Sequence, residues 1–298
     1  MLSRWIRAGV FLVIAMWGLI FVAVHELLVV LDSIQVVVIR YWIFSFIFLL
    51  LLLFQPHLRP KFTRQDWGLY IFAGILAVPG AQFPIVYGQR FLAPPLVSLI
   101  AGLTPVMAIV LARIFLTEKL SRFQLLGCLM ALVGSLAIIL ASSSDGTEMT
   151  TSNPAMAALA LISPLSWAGY MIFMRRVATR HGALTSTGTV MVLGTLWTAP
   201  FWKHGVGGIG NLEVPHLLWL LYLAIGGTLL TYWIYFQVIA EIGANRAATY
   251  MFAVPLVALF WSWVILGYVP SGTTLIGGAV VLIGVAMTQK TNSLYESS

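Results

Sequence analysis

The chain has 298 residues, 60% of them hydrophobic and only 8% charged, with a mean hydropathy of +0.98. A soluble domain carries roughly 25% charged residues to cover its surface; that cover is missing here, which excludes a water-soluble globule and makes lipid the main solvent. The net charge of +7 does not imply nucleic acid, because in such a chain the position of the basic residues matters more than their sum.

Met-Leu-Ser-Arg-Trp-Ile-Arg leads into the first apolar run, Ala8–Leu28. That run is too long for a secretory core region, so it reads as an uncleaved first helix. Further runs of spanning length follow at Ile34–Phe54, Trp67–Tyr87, Pro95–Leu116 and Phe123–Ala141. The Ser- and Thr-rich stretch Ser142–Asn153 reads as a linker. Five more runs come after it, at Pro154–Met174, Leu184–Trp202, Leu217–Gln237, Ala247–Gly267 and Thr273–Met287. Backbone facing lipid must satisfy its own hydrogen bonds, so only helices or closed barrels are open to it. Barrel strands alternate apolar and polar residues; these runs are continuously apolar. The expected fold is all-α and integral to the membrane, with ten transmembrane helices.

The two halves repeat. Pro105 and Pro255, Ser121 and Ser271, Gly127 and Gly277, and Gly134 and Gly284 are all pairs 150 positions apart. The expected division is 1–141 and 154–290 as two five-helix repeats, 142–153 as the linker, and 291–298 as a tail. Twelve Lys and Arg residues, from Arg4 to Lys290, fall on one side of this layout; only Arg90 and Lys203 fall on the other. Both termini are then cytoplasmic. Five spans per half insert the second repeat upside down relative to the first, enclosing a central cavity between inverted repeats. Cys128, the single cysteine, excludes an intramolecular disulfide and reads as a packing residue.

LAPPLVSLIAGLTPVMAIVLARIFLTEKLSRFQLLGCLMALVGSLAII, from Leu92 to Ile139, resembles the signature hairpin of the drug/metabolite transporter superfamily, EamA type. Ala15-Met16-Trp17-Gly18, Arg40 and Ser166-Trp167-Ala168 extend the resemblance over most of the chain. It implies ten helices around a cavity and the outward movement of small metabolites across what would be a bacterial inner membrane. The family often carries an acid after Gly at the ends of the fourth and ninth helices. Here Glu118 follows Thr117, and Gly267-Tyr268 has no acid.

An ionisable group within a membrane helix is costly and therefore a functional candidate. Arg40, in the second helix, can clamp a carboxylate with two parallel hydrogen bonds; its structural alternative is a pairing with Glu26 or with helix-end carbonyls. His25 and Glu26, at the outer end of the first helix, are candidates for proton coupling, against simple solvation at the interface. Thr228, Thr231, Tyr232 and Tyr235 share one helical face. Gln82 and Tyr87 occupy the third helix, and Trp17, Trp167 and Tyr170 lie deep enough to stack on a flat substrate. These are candidates for the cavity wall, against helix–helix packing. Pro84, Pro105 and Pro255 interrupt helices as candidate hinges, and Glu118 is a candidate gate contact. No P-loop, metal-ligand spacing or nucleophile–base pair is readable, so no cofactor or metal is expected.

The expected function is secondary transport, the export of a small polar metabolite such as an amino acid or derivative by alternating access. The expected partners are that small molecule and the bilayer, with a homodimer contact on the Gly127/Ala131 and Gly277 faces as an alternative to simple packing. A proton-coupled drug exporter is the second reading. An intramembrane enzyme or a non-transporting scaffold is the reading from another class.

Overall fold

The computed structural model describes residues 4–60, 62–115, 121–142, 158–242 and 250–290. Glu118 and nearly all of the linker, 143–153, lie outside the described residues. Within them the structure is helical, with no strand. In the first half, α1 (Arg4–Leu28) and α2 (Ser33–Phe54) are followed by α3 (Arg64–Ile75), a π-helical segment (Leu76–Gly80) and α4 (Ala81–Gly88). Then come α5 (Pro94–Ala101), α6 (Thr104–Phe115) and α7 (Arg122–Ser142). The second half has α8 (Ile162–His181), α9 (Ala183–Leu196) and the short α10 (Trp202–Val206). It continues with α11 (Val214–Leu221), a second π-helical segment (Tyr222–Leu230), α12 (Thr231–Ile242), α13 (Val254–Leu266) and α14 (Gly272–Lys290).

The helix ends follow local chemistry. Asp32 caps α2 through a reciprocal box: its carboxylate accepts from the Gln35 backbone N–H, and the Gln35 side chain accepts from the Asp32 N–H, both at 2.9 Å. α13 stops at Gly267, whose φ of 66° is left-handed, the conformation glycine adopts without a Cβ clash. The fourth apolar run is broken between α5 and α6. Pro105 has no N–H for the Ala101 carbonyl, and the Thr104 hydroxyl donates to that carbonyl instead, at 2.8 Å. The seventh run ends sooner than its hydropathy suggests. α9 stops at Leu196, and the chain then turns through short 3₁₀ and α segments carrying Pro200, Gly205, Gly207 and Gly208.

Among the described residues, four spans are long and apolar enough to cross a bilayer: Arg7–Leu28, Ser33–Phe54, Asp66–Gly88 and Val214–Tyr235. Six shorter apolar spans accompany them. The exterior is studded with bare apolar side chains, among them Phe11, Phe54, Val133, Trp263 and Ile276. Water would penalise such a surface and hydrocarbon does not.

The halves interleave. α1 packs on α11, α12 and α13 of the second half, while α8 packs on α3, α4 and α6 of the first. α7 and α14 lie against each other along their small-residue faces. A Cβ on Gly134 would meet the Gly277 carbonyl at 3.1 Å, and one on Gly284 would meet the Gly127 carbonyl at 2.7 Å. Each contact is the other displaced by 150 positions at both ends. Cys128 is buried in the core, as its apolar setting predicts.

Candidate functional site

Arg40, Phe44 and Phe48 are spaced by four along α2, which puts them on one face. All three are buried, Arg40 to the point of 6% exposure. One terminal nitrogen of Arg40 donates to the Thr228 hydroxyl at 2.8 Å. That hydroxyl spends its own proton on the Leu223 carbonyl five residues back, at 2.7 Å, a spacing that the π-helical turn brings within reach. The guanidinium carbon lies 5.2 Å from the centre of the Tyr41 ring. Its Nε is buried with no hydrogen-bond partner. Arg40 makes no ion pair with a described residue, so the alternative pairing with Glu26 is not what the structure holds. Glu26 and His25 sit half-buried in the last turns of α1.

An aromatic group stands next to this charge. Trp17 of α1 and Trp167 of α8, 150 positions apart, both contact Tyr232 of α12. The Trp17 ring meets it edge-on at 6.0 Å and the Trp167 ring lies parallel to it at 6.3 Å. Trp17 also reaches Tyr235 at 5.1 Å, and Trp167 reaches Tyr170 at 5.0 Å. The Tyr170 hydroxyl is hydrogen-bonded to Thr187 at 2.8 Å. The phenol groups of Tyr41, Tyr222 and Tyr232 lie within electrostatic reach of Arg40. Tyr222 donates to the Met16 carbonyl and Trp261 to the Ala15 carbonyl, so the turn of α1 just before Trp17 is pinned by the second half.

A seam with no room for a water molecule runs beside Tyr232 between Phe44, Phe48, Leu184, Thr187, Gly188 and Leu229. It begins one turn along α2 from Arg40. The central cavity expected from the sequence is, among these residues, a closed seam of rings and aliphatic groups.

Of the sequence candidates, the structure brings together Arg40, Thr228, Trp17, Tyr232, Tyr235, Trp167 and Tyr170. Tyr87 packs its ring on Phe91, 5.2 Å away, and Gln82 is half-buried in α4 beside Pro84. Pro105 and Pro255 each fall at the second residue of a helix, α6 and α13, just after a break. Glu118 is outside the described residues. Sequence reading missed Thr187, Tyr222, Gln89, whose side chain donates to the Phe21 carbonyl, and the Asp32–His204 pair. None carries a local signal, since each is defined by a partner far along the chain. Ser45 and Thr195 were also missed, although their separation of 150 was open to view.

The family model for EamA-like transporters matches this sequence twice, over residues 5–140 and 155–289. The chain belongs to the EamA-like transporter family. The EamA chain is 24% identical over 286 residues to an "Uncharacterized transporter" of Archaeoglobus fulgidus, covering 95% of this chain and 98% of that one. It is 26% identical over 293 residues to a "Probable amino-acid metabolite efflux pump" of Salmonella typhimurium, covering 92% and 91%. A "Probable terminal-alkyne amino-acid exporter" of Streptantibioticus cattleyicolor is 24% identical over 232 residues, covering 78% and 75%. A protein of known crystal structure shares the fold, with a TM-score of 0.63 over 97% of this chain and 98% of that one, at 17% identity. The EamA protein is thus an integral membrane transporter rather than an enzyme.

Proposed function

We propose that this EamA transporter exports a small polar metabolite, an amino acid or a derivative of one, by alternating access. The four long and six shorter apolar spans serve as ten membrane passes, in two inverted five-helix repeats comprising residues 1–141 and 154–290. Both termini face the cytoplasm, and the membrane is a bacterial inner membrane. One relative named as a probable terminal-alkyne amino-acid exporter and one named as a probable amino-acid metabolite efflux pump support the substrate class.

The observation that carries the reading is the placement of Tyr232 between Trp17 and Trp167. Equivalent residues of the two halves thereby close on one ring beside a buried cation. A rocking motion of one half against the other would part these rings and open the site to one face of the membrane at a time. Arg40, Thr228, Tyr232, Tyr235, Trp17, Trp167 and Tyr170 form the substrate site. Gln82 and Tyr87 line its approach, His25 and Glu26 take part in proton coupling, and Glu118 forms a gate contact. Pro84, Pro105 and Pro255 serve as hinges, because each leaves a helix without one backbone donor.

Counterflow of labelled amino acids in proteoliposomes tests the reading. Exchange that needs intact Tyr232 and runs without nucleotide is the expected result. Absence of exchange for every amino acid offered, from protein that remains folded, would remove the substrate class. Thiol labelling of cysteines placed near each terminus in whole cells tests the topology. Termini on opposite faces would remove the ten-pass layout.

A further inference from the structure

We infer that the nine-residue π-helical segment Tyr222–Leu230 is a register switch. It relaxes to α-helix when Arg40 leaves Thr228, and in doing so it turns Tyr232 out of the gap between Trp17 and Trp167. Such a switch deepens the exporter reading and rests on it.

π-helix is rare in proteins and collects at functional sites. The described residues hold two π-helical segments, and they coincide in the repeat: shifted by 150 positions, Leu76–Gly80 falls on Gly226–Leu230. The two are held in different ways. In the first, Pro79 has no N–H for the Ile75 carbonyl and its ring crowds that carbonyl, so the sequence itself forbids a regular α turn. The second has Leu229 at the position of Pro79, and no proline between Tyr222 and Leu230. Every residue there has an N–H to give, so contacts from outside the segment keep the wider turn. Arg40 donates to the Thr228 hydroxyl at 2.8 Å, and that hydroxyl donates to the Leu223 carbonyl five residues back at 2.7 Å. Tyr222 at the start of the segment donates to the Met16 carbonyl of α1. The residues matching Arg40 and Thr228 at the other segment are Val190 and Val78, both apolar and buried. The polar hold therefore exists at one segment only.

A π turn carries more residues than the α turn it replaces, and each residue released turns the helix beyond it by about 100°. What lies beyond is α12, whose second residue is Tyr232. On rotation Tyr232 leaves both tryptophans, and Ile234 leaves Gly9 of α1, where a Cβ would now meet it at 3.2 Å. Gly226 and Gly227 lie within the segment against Met16 and Ile20 of α1, and without a Cβ their backbone passes between the two forms at little cost. A substrate that draws the guanidinium off Thr228 thus frees the gate beside which it is bound, so that binding and opening are linked.

The test is disulfide bridging of Gly9→Cys with Ile234→Cys in the full-length chain carrying Cys128→Ala, in detergent without substrate, with amino-acid counterflow of the same proteins in proteoliposomes. Ready bridging of the resting protein is expected, with flux lost on oxidation and regained on reduction. Thr228→Val removes both hydroxyl bonds and should slow bridging at least about tenfold, the worth of a hydrogen bond to a charged group. Leu229→Pro copies the proline of the first half. It should hold the π form, restore bridging to the Thr228→Val chain and, alone, abolish counterflow; mere loss of packing would not be repaired by a second substitution in the same helix. Bridging unchanged by Thr228→Val, no rescue by a folded Leu229→Pro chain, or natural flux in the bridged protein would overturn the inference. If Leu229→Pro does not fold, bridging of the Thr228→Val chain and flux of the bridged protein decide it. Bridging that responds as expected in a protein without counterflow would keep the switch and remove the exporter reading.

Discussion

Ser45 on α2 donates a 2.8 Å hydrogen bond to Thr195 on α9, and the two residues are 150 positions apart. The bond joins the two halves of the chain at positions that share the 150-residue offset. Thr195 also donates to the Met191 carbonyl at 2.7 Å, and both side chains are buried. Ser45→Ala leaves a buried hydroxyl short of one partner and should cost about 1–3 kcal/mol. The pair Ser45→Ala with Thr195→Val should cost less than the sum of the single changes, as measured by unfolding midpoints in detergent. Strict additivity would mean that the contact carries no energy.

The α7–α14 seam should reject side chains. A Cβ on Gly284 would lie 2.6 Å from the Ala131 backbone nitrogen, and backbone cannot step aside as a flexible side chain can. Gly284→Val is expected to cost about 1–3 kcal/mol or more through overpacking. Gly68, on the surface of α3, has nothing within 4 Å of the same position. Gly68→Ala should be neutral or stabilise by up to about 1 kcal/mol through helix propensity. Equal melting temperatures for the two variants would contradict the packing described.

Tyr232 separates two tryptophans, so its role in flux and its role in packing can be told apart. Tyr232→Phe keeps the ring contacts with Trp17 and Trp167 and should keep most of the stability. Tyr232→Ala removes a large ring from a closed seam and should cost about 3–5 kcal/mol. Both rates are read by counterflow. Transport by the alanine variant at the natural rate would show that the ring does not line the path.

The Asp32–His204 contact ties the start of α2 to α10 across the halves, with the Gln35 amide donating to the His204 carbonyl at 3.3 Å. If the halves move apart at this end during each cycle, a covalent tie here should stop export. Asp32→Cys with His204→Cys, in a chain with Cys128→Ala, should lose flux when bridged by a short bifunctional thiol reagent and regain it on reduction. Undiminished flux in the bridged protein would mean this end stays closed throughout. Removing Asp32 alone should also cost about 0.5–2 kcal/mol, because it caps α2.

Hydrophobicity is a one-dimensional property, and lipid demands that each spanning segment satisfy its own backbone. The sequence alone was therefore enough to establish an all-helical membrane protein and the family. The special status of Arg40 was legible for the same reason, since a charge inside an apolar run is visible without a partner. Tertiary structure decided the rest. Thr228 rather than Glu26 receives Arg40, because a π-helical turn, which no local residue pattern announces, swings that hydroxyl inward. Trp17 and Trp167 converge on one tyrosine because each half lends its first helix to the other. The seventh run ends at Leu196 even though its hydropathy continues, because transfer free energy does not register a missing proline donor or a glycine-rich turn. Composition can say which segments prefer lipid; only the packing of one helix against another says which polar atoms are left without a partner.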